Sequence, residues 1–522
     1  MKASVQVIRN VLSNWGSFFI GALVGFLMMP FLVHRLGDGN YGVWVLILNF
    51  TGYLSLLDLG VSASVVKYVA EFKAKEDMDG LSEVCSTAFF VYLASGALAF
   101  LLSVVIAYNF IHLFKIPNES LSTARNVTMI VGLHIGLTLP VSFFTGFLRG
   151  SQRYDLVAFI NLGILPLRTL LIVGFILYGY GLLALAIIHL GCTLLAGLIK
   201  AVYIFKNNPT LRLKMNMVSK AKLRMVGNYS VLVFLYYVAT RIIFATSPVI
   251  IGFSLTAAAV TLYAIPQRLV EDMRVVIMAT GVLQPLVSHL DAKGREEEVR
   301  NLVMKGTKYS LMIVLPIGFA YILVGDVFIS LWMGPKYAIA CYSVLVVLTI
   351  GAMAHISQFT ATQALQGIAK HRATAYVAIL EGVANIGLSL VLVRKYGILG
   401  VALGTMIPML LSNLVIIPIY ACRTINLSIF MFFKEGFVRP IVAASLFGII
   451  LCGFSRFMGI YGWLEFILAM VVSVAAYVVL AWFLCLAREE RAARWMECVL
   501  IVKSTTTGLL SVLSLRGIRS AK

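Results

Sequence analysis

Charge is what this sequence has least of. Only 12% of its 522 residues are Asp, Glu, Lys or Arg, and 61% are hydrophobic. A soluble domain carries about 25% charged residues, so this chain cannot clothe a globular surface with polar groups. That excludes a soluble enzyme, a disordered chain and a secreted disulfide scaffold. Cysteine is sparse too: there are seven, an odd number, with no CxxC pair. Cys192, Cys341, Cys452 and Cys485 fall in apolar runs and read as small packed thiols, so no metal or redox site is expected. No GxxxxGK[ST] segment occurs, which excludes a P-loop pump within this chain. The longest connections, 67–84, 206–224 and 288–307, are too short for a folded catalytic domain. The chain is therefore expected to be no enzyme.

What it does contain is apolar runs of spanning length. They cover about 11–33, 41–66, 85–111, 125–148, 155–178, 182–205, 225–252, 256–287, 308–333, 340–366, 373–395, 398–422, 437–456 and 463–486. Fourteen continuous runs of this length read as membrane helices, and a barrel would alternate instead. The first run follows Lys2 and Arg9, is too long for a signal-peptide core and lacks a small-residue cleavage site, so it reads as a first span. The fold class expected is all-α, a polytopic membrane protein.

The net charge of +20 would suit nucleic acid, but its distribution argues otherwise. With the N-terminus inside, and end residues counted with the loop they adjoin, 31 of the 42 lysines and arginines fall on the inner side. Seven fall outside and four lie within spans. This is the positive-inside bias of a multi-pass protein with both termini cytoplasmic. No nucleic acid partner is expected.

An internal repeat sits at an offset of about 215–222 residues. Helix four ends in Leu148-Arg149-Gly150-Ser151-Gln152-Arg153 and helix ten in Leu365-Gln366-Gly367-Ile368-Ala369-Lys370. Helix five leaves through Tyr178-Gly179-Tyr180-Gly181, helix eleven through Tyr396-Gly397-Ile398-Leu399-Gly400. Parallel six-helix repeats are a transporter architecture, with substrate between two lobes. The division expected is a first lobe over 1–205, a basic cytoplasmic linker over 206–224 and a second lobe over 225–422. Two extra helices over 423–486 and a basic cytoplasmic tail over 487–522 follow.

Ionisable groups inside a membrane are costly, about 2.5–3.5 kcal/mol each on insertion scales, and mark functional sites by default. Arg168, Arg241, Arg268 and Arg274 lie within spans. Arg241 and Arg268 sit 11 and 12 residues from the outer ends of antiparallel helices seven and eight, about 17 Å deep at 1.5 Å per residue. Two like charges at one depth suit an anion between them. Glu271 and Asp272 would neutralise part of this cluster, and an internal salt-bridge set is the competing reading. Arg168 in helix five and Asp58 in helix two complete the substrate-contacting candidates. Glu381 with Asn385 one turn on, and Thr405 on the next helix, offer oxygen ligands or a titratable group for Na⁺ or H⁺ coupling. A plain interhelical hydrogen-bond network competes there. Pro30, Pro140, Pro166, Pro248, Pro266, Pro316 and Pro408 permit bends within the spans.

The first two helices carry a signature. Asn14 and Pro30 precede His34-Arg35-Leu36-Gly37-Asp38-Gly39-Asn40-Tyr41-Gly42, then Leu57-Asp58-Leu59-Gly60-Val61-Ser62 and Lys67-Tyr68-Val69-Ala70-Glu71. This resembles the bacterial polysaccharide exporters, the oligosaccharide-lipid flippases of the multidrug/oligosaccharidyl-lipid/polysaccharide superfamily. The resemblance covers about residues 5–420. It implies a V-shaped cavity lined by helices one, two, seven and eight, and alternating access driven by an ion gradient or membrane potential. It implies a polyprenyl-diphosphate-linked sugar as cargo, moved from the cytoplasmic to the outer leaflet of a bacterial inner membrane. A polysaccharide polymerase and glycosyltransferases are the implied protein partners. The superfamily's peptidoglycan-precursor flippases place arginines on helix one, whereas nothing between Arg9 and His34 is charged here. A cation-coupled multidrug exporter is the alternative within the same architecture.

Overall fold

The computed structural model describes residues 2–114, 121–278, 283–370, 372–486 and 490–491. Most of the expected tail lies outside the described residues. Among those residues there are helices and no strand.

The helices are α1 (Lys2–Gly52), α2 (Val61–Ala74), α3 (Met78–Leu113), α4 (Leu121–Gly150), α5 (Tyr154–Leu177), α6 (Gly181–Asn207), α7 (Lys220–Ser254), α8 (Ala257–Met278) and α9 (Leu283–Ala292). They continue as α10 (Glu296–Met333), α11 (Pro335–Ser357), α12 (Phe359–Gly367), α13 (Arg372–Leu411), α14 (Ile417–Thr424), α15 (Ile429–Phe433), α16 (Arg439–Met458) and α17 (Trp463–Leu484). Ten stretches are long and apolar enough to cross a membrane by length and composition. Two of these fold back on themselves. α1 reverses at Gly37, where φ is 79°, so that Gly25 and Gly52 both meet arginines of the α7–α8 pair. α13 reverses at Gly397, φ 58°, which brings Gly400 onto Leu392 and Gly404 onto Ser389. With α7 and the α8–α9 pair, the described chain makes fourteen passes. α8 is less apolar than those ten stretches because Arg268, Glu271, Asp272 and Arg274 fall within it.

Breaks within passes aim side chains. Pass two was expected to run unbroken over 41–66. Instead a 3₁₀ turn over Tyr53–Asp58 ends in left-handed Leu59 (φ 50°) and Gly60 (φ 77°) before α2 resumes. Asp58 then accepts hydrogen bonds from the Tyr92 hydroxyl and from the backbone N–H groups of Gly60 and Ser62, which caps the start of α2. π-helical turns at Ser412–Ile416 and Lys434–Val438 interrupt passes twelve and thirteen.

Both halves end their fourth pass in the same way. Gln152 (φ 59°) and Ala369 (φ 57°) occupy the left-handed position. The amide of Arg153 closes onto Leu148 O at 2.9 Å, and that of Lys370 onto Leu365 O at 2.9 Å. These are Schellman-type caps at equivalent points of two six-helix lobes. The repeat is therefore one of backbone as well as letters.

Three apolar cores set the shape. One contains residues of both halves: Val33 and Val43 of α1, Ile250 of α7, Val260 of α8, Ile329 and Trp332 of α10, and Tyr337 of α11. It lies at the hairpin end, near Gly37. Toward the opposite end, which carries the 206–224 linker, the core divides. One branch comes mainly from the first half, with Val65, Tyr92, Phe143 and Phe147 joined by Val226 of α7; the other comes from the second, with Val303, Leu365, Phe432 and Phe447. The lobes share one core at the hairpin end and are largely cored apart at the other, where the start of α7 reaches the first half through Ser64 and Tyr68; the central cavity lies at this fork. α16 and α17 pack on α10, with the Tyr477 hydroxyl donating to Met312 O at 2.5 Å.

Candidate functional site

α8 builds one wall. Helical spacing puts Gln267, Arg268, Glu271 and Asp272 on adjoining stripes. Gln267 Nε2 donates to Glu271 Oε1 at 2.9 Å and to Phe244 O at 3.1 Å, tying α8 to α7. Arg268 pairs with Asp272 through Nη2–Oδ1 at 3.0 Å and Nε–Oδ2 at 3.1 Å. The arginine and its aspartate thus form an internal pair on one helix, and the guanidinium also reaches Gly25 of α1.

Two chambers meet at the fork. One, of about 420 Å³, is lined by Asn49, Ser55, Asp58, Gly60, Arg241, Phe244 and Glu271, among others. The other, of about 340 Å³, is lined by Tyr41, Asn49, Arg241, Gln267, Arg268 and Glu271, among others. They share Asn49, Arg241 and Glu271 and therefore adjoin. The structure thus brings Arg241, Arg268, Glu271 and Asp58 to one polar cavity between α1, the turn over Tyr53–Gly60, α7 and α8.

Arg241 differs from Arg268. No carboxylate lies within 4.0 Å of it among the described residues, and its Nε is buried without a hydrogen-bond partner. Its guanidinium lies over the Tyr53 ring at 5.7 Å and against the backbone of Gly52. The Tyr53 hydroxyl is held by Thr246 at 2.6 Å. A half-buried cation without an ion-pair partner gains when an anion arrives.

Arg274 lies deeper. Its guanidinium covers the Phe244 ring at 3.4 Å. It lines a cleft of about 40 Å³ with Ser247, Glu271 and Thr405, among others, and this cleft leads from the chambers toward α13. Arg168 stands apart from the chambers, in a crevice of the first lobe.

The three ion-coupling candidates divide between two networks. Glu381 Oε2 accepts from the Ser412 hydroxyl and from Asn413 Nδ2 at 3.4 Å, while its Oε1 is buried without a partner. Asn385 donates to Ile243 O at 3.3 Å and accepts from Ser389 Oγ at 3.2 Å. Thr405 meets Ser247 Oγ at 3.2 Å and donates to Val401 O at 3.1 Å. Among the described residues no group of three His, Cys, Asp or Glu is placed to hold a metal.

Sequence reading missed Gly25, Gly52, Asn49, Tyr53 and Gln267. The glycines carry no local signal, because their part is to leave room for side chains from another helix.

The hairpin ends of the lobes are latched. Asp38 accepts from Lys336 and, at 2.6 Å, from the Tyr337 hydroxyl, while the Thr261 hydroxyl donates to Asp38 O at 2.6 Å. Phe26 stacks on Trp332 at 4.6 Å, and Trp332 Nε1 donates to Phe26 O at 3.2 Å. Burial pushes the Asp38 carboxyl up, but the Lys336 and Tyr337 hydrogen bonds outweigh it and hold it below the ordinary 3.8.

Two six-helix lobes around a polar cavity, closed at one end, define a membrane transporter. The chain belongs to the polysaccharide biosynthesis protein family, whose model matches residues 7–291. It is 23% identical to a putative O-antigen transporter of Shigella flexneri, over 80% of this chain and 98% of that protein. It is 22% identical to a probable low-salt glycan biosynthesis flippase, Agl15, of Haloferax volcanii, over 91% of this chain and 95% of that one. Among solved structures it resembles the lipid II flippase MurJ in an inward closed conformation (TM-score 0.70, 15% identity, 91% of this chain and 98% of that one). It also resembles an inward-facing multidrug resistance transporter of the MATE family (TM-score 0.67, 16% identity, 78% and 94% covered). At such identities the structures show the shared fold alone.

Proposed function

We propose that this flippase-family protein carries a polyprenyl-diphosphate-linked oligosaccharide from the cytoplasmic to the outer leaflet of a bacterial inner membrane, for cell-surface polysaccharide synthesis. The linker end faces the cytoplasm in this reading, with both termini there, as the basic loops favour. The observation that carries it is Arg241, a cation without a carboxylate partner at the fork of the lobes. Arginine binds phosphate oxygens through a planar fork of donors. Asn49, Ser55 and Asp58 line the same cavity and supply polar groups for sugar hydroxyls. The latched hairpin end and divided linker end suit loading from the cytoplasmic side, followed by reversal. Proton or Na⁺ coupling falls to Glu381, Asn385 and Thr405, with the unpartnered Glu381 Oε1 as the proton acceptor. A polymerase and glycosyltransferases would hand over and receive the cargo.

In cells whose surface polysaccharide depends on this chain, Arg241→Gln abolishes the polysaccharide while membrane level persists, and Arg241→Lys keeps part of it. Full surface polysaccharide in Arg241→Gln sinks the reading. Asp58 and Glu271, two carboxylates in the cavity, favour one alternative, export of organic cations. Efflux of a cationic dye that is lost in Glu271→Gln would establish that alternative.

A further inference from the structure

The first lobe holds a second crevice, of about 410 Å³, between α4, α5 and α6. It shares no lining residue with the chambers or the cleft described above. Its charged lining is Arg168 on α5 and Lys200 on α6, with no carboxylate. Lys200 is only 5% exposed. Its ammonium donates to Thr145 Oγ1 at 3.1 Å and to Asn161 Oδ1 at 3.4 Å. Among the described residues no carboxylate lies within 4.0 Å of either cation. The crevice therefore holds two positive charges inside the lobe with no internal compensation.

The hydrogen bonds also fix what the walls can offer. An ammonium has three donors and no acceptor, and two of the three are engaged. Lys200 occupies the accepting atoms of Thr145 and Asn161, so the Thr145 O–H and the Asn161 NH₂ turn to other partners. Arg168 adds the five donors of a guanidinium. The crevice thus presents donors and positive charge, the complement of an oxyanion. Lys200 and Asn161 each lie seven residues from the linker-side end of their helix, and Arg168 fourteen. At 1.5 Å per residue these are about 10 and 21 Å from that end.

We infer that this crevice is an anion site, separate from the central cavity, that takes a phosphate group. Either the phosphodiester of an anionic phospholipid or free phosphate supplies that chemistry. The inference goes beyond the export reading and stands without it.

The test uses the purified full chain carrying Arg241→Gln, which removes the central cation that lacks a carboxylate within 4.0 Å among the described residues. Thermal unfolding is followed against sodium phosphate at constant ionic strength, and against dioctanoyl phosphatidylglycerol with dioctanoyl phosphatidylcholine as control. A ligand bound only by the folded state raises the midpoint with concentration. A saturable rise with phosphate assigns a free-ion site; a rise with phosphatidylglycerol alone assigns a lipid headgroup site. In either case Arg168→Gln raises the half-saturating concentration at least tenfold, Lys200→Gln abolishes the rise and Lys200→Arg retains it. Should Lys200→Gln fail to fold, Arg168→Gln and Lys200→Arg carry the comparison. No rise with either ligand, or an unchanged rise in Arg168→Gln, overturns the inference.

Discussion

A methyl group added at Gly52 would collide with the Arg241 guanidinium, and one at Gly25 would stand 2.7 Å from Arg268 Nη2. The glycines of pass one and pass two thus set where the arginines of the facing helices end. Gly52→Ala should cut surface polysaccharide at least tenfold, as Arg241→Gln does, with little change in the amount of folded protein. Gly25→Ala should be milder, because its added methyl would stand 2.7 Å from Arg268 Nη2, whereas one at Gly52 would stand closer still to Arg241 Nη2. Polysaccharide per cell and the yield of monodisperse protein measure both; normal export in Gly52→Ala would mean that Arg241 does not need its present place. The arginines were legible in the sequence because charge in an apolar run stands out. Their glycine seats were not, because a missing side chain signals nothing until a second helix approaches it.

At the scale of elements, the hairpin-end latch and the fourth-pass caps carry the testable consequences. Spin labels at the exposed residues Asn40 and Ile339 should report one short distance while Asp38 holds Lys336 and Tyr337. Asp38→Asn should broaden that distribution toward longer values. Because the bound carboxyl sits below the ordinary value, the latch's contribution is fully present above that value. It is lost only as pH falls through the lower bound-state pKa. The distance should hold from pH 8 to 5, and loosening at pH 6 would show that Asp38 does not control it. The caps invite the opposite change. Ala369 and Gln152 stand at positive φ, where a side chain costs about 1 kcal/mol and glycine does not. Ala369→Gly and Gln152→Gly should each raise unfolding free energy by about 0.5–1 kcal/mol, read as a higher thermal midpoint. The existence of these helices was legible from hydropathy. The break at Tyr53–Gly60 was not, since nothing in an apolar run marks where a turn changes from α to 3₁₀.

For the whole molecule, the arrangement of the cores decides which way the cavity opens, and the added helices brace one branch. Glu490 reaches back to the linker-side end of α10, pairing with Lys308 at 2.8 Å and Lys305 at 3.6 Å. Lys308 is 7% exposed, so removing its partner leaves a buried cation. Breaking such a pair costs about 3–5 kcal/mol when fully buried, and somewhat less with Glu490 partly open. Glu490→Gln should therefore lower the thermal midpoint by several degrees, and adding Lys308→Met should restore much of it. A midpoint unchanged in Glu490→Gln would mean that this contact does not hold the chain's end.

Hydropathy and spacing along the chain were enough to establish a membrane protein, the number of its passes and the repetition of six helices. They also showed that arginines lie at depth on helices seven and eight. Each of these follows from local hydropathy, charge count or spacing, which act along the chain. How those charges sort was set by the packing of helices against one another. Arg268 is paired along its own helix, Arg241 is unpaired in the cavity, and Arg168 joins Lys200 in a crevice of its own. Likewise Glu381 parts from Asn385 and Thr405 because the π-turn at Ser412–Ile416 offers it Ser412 and Asn413. Partners across helices depend on rotation and packing of elements far apart in sequence, and no periodicity within one helix encodes them.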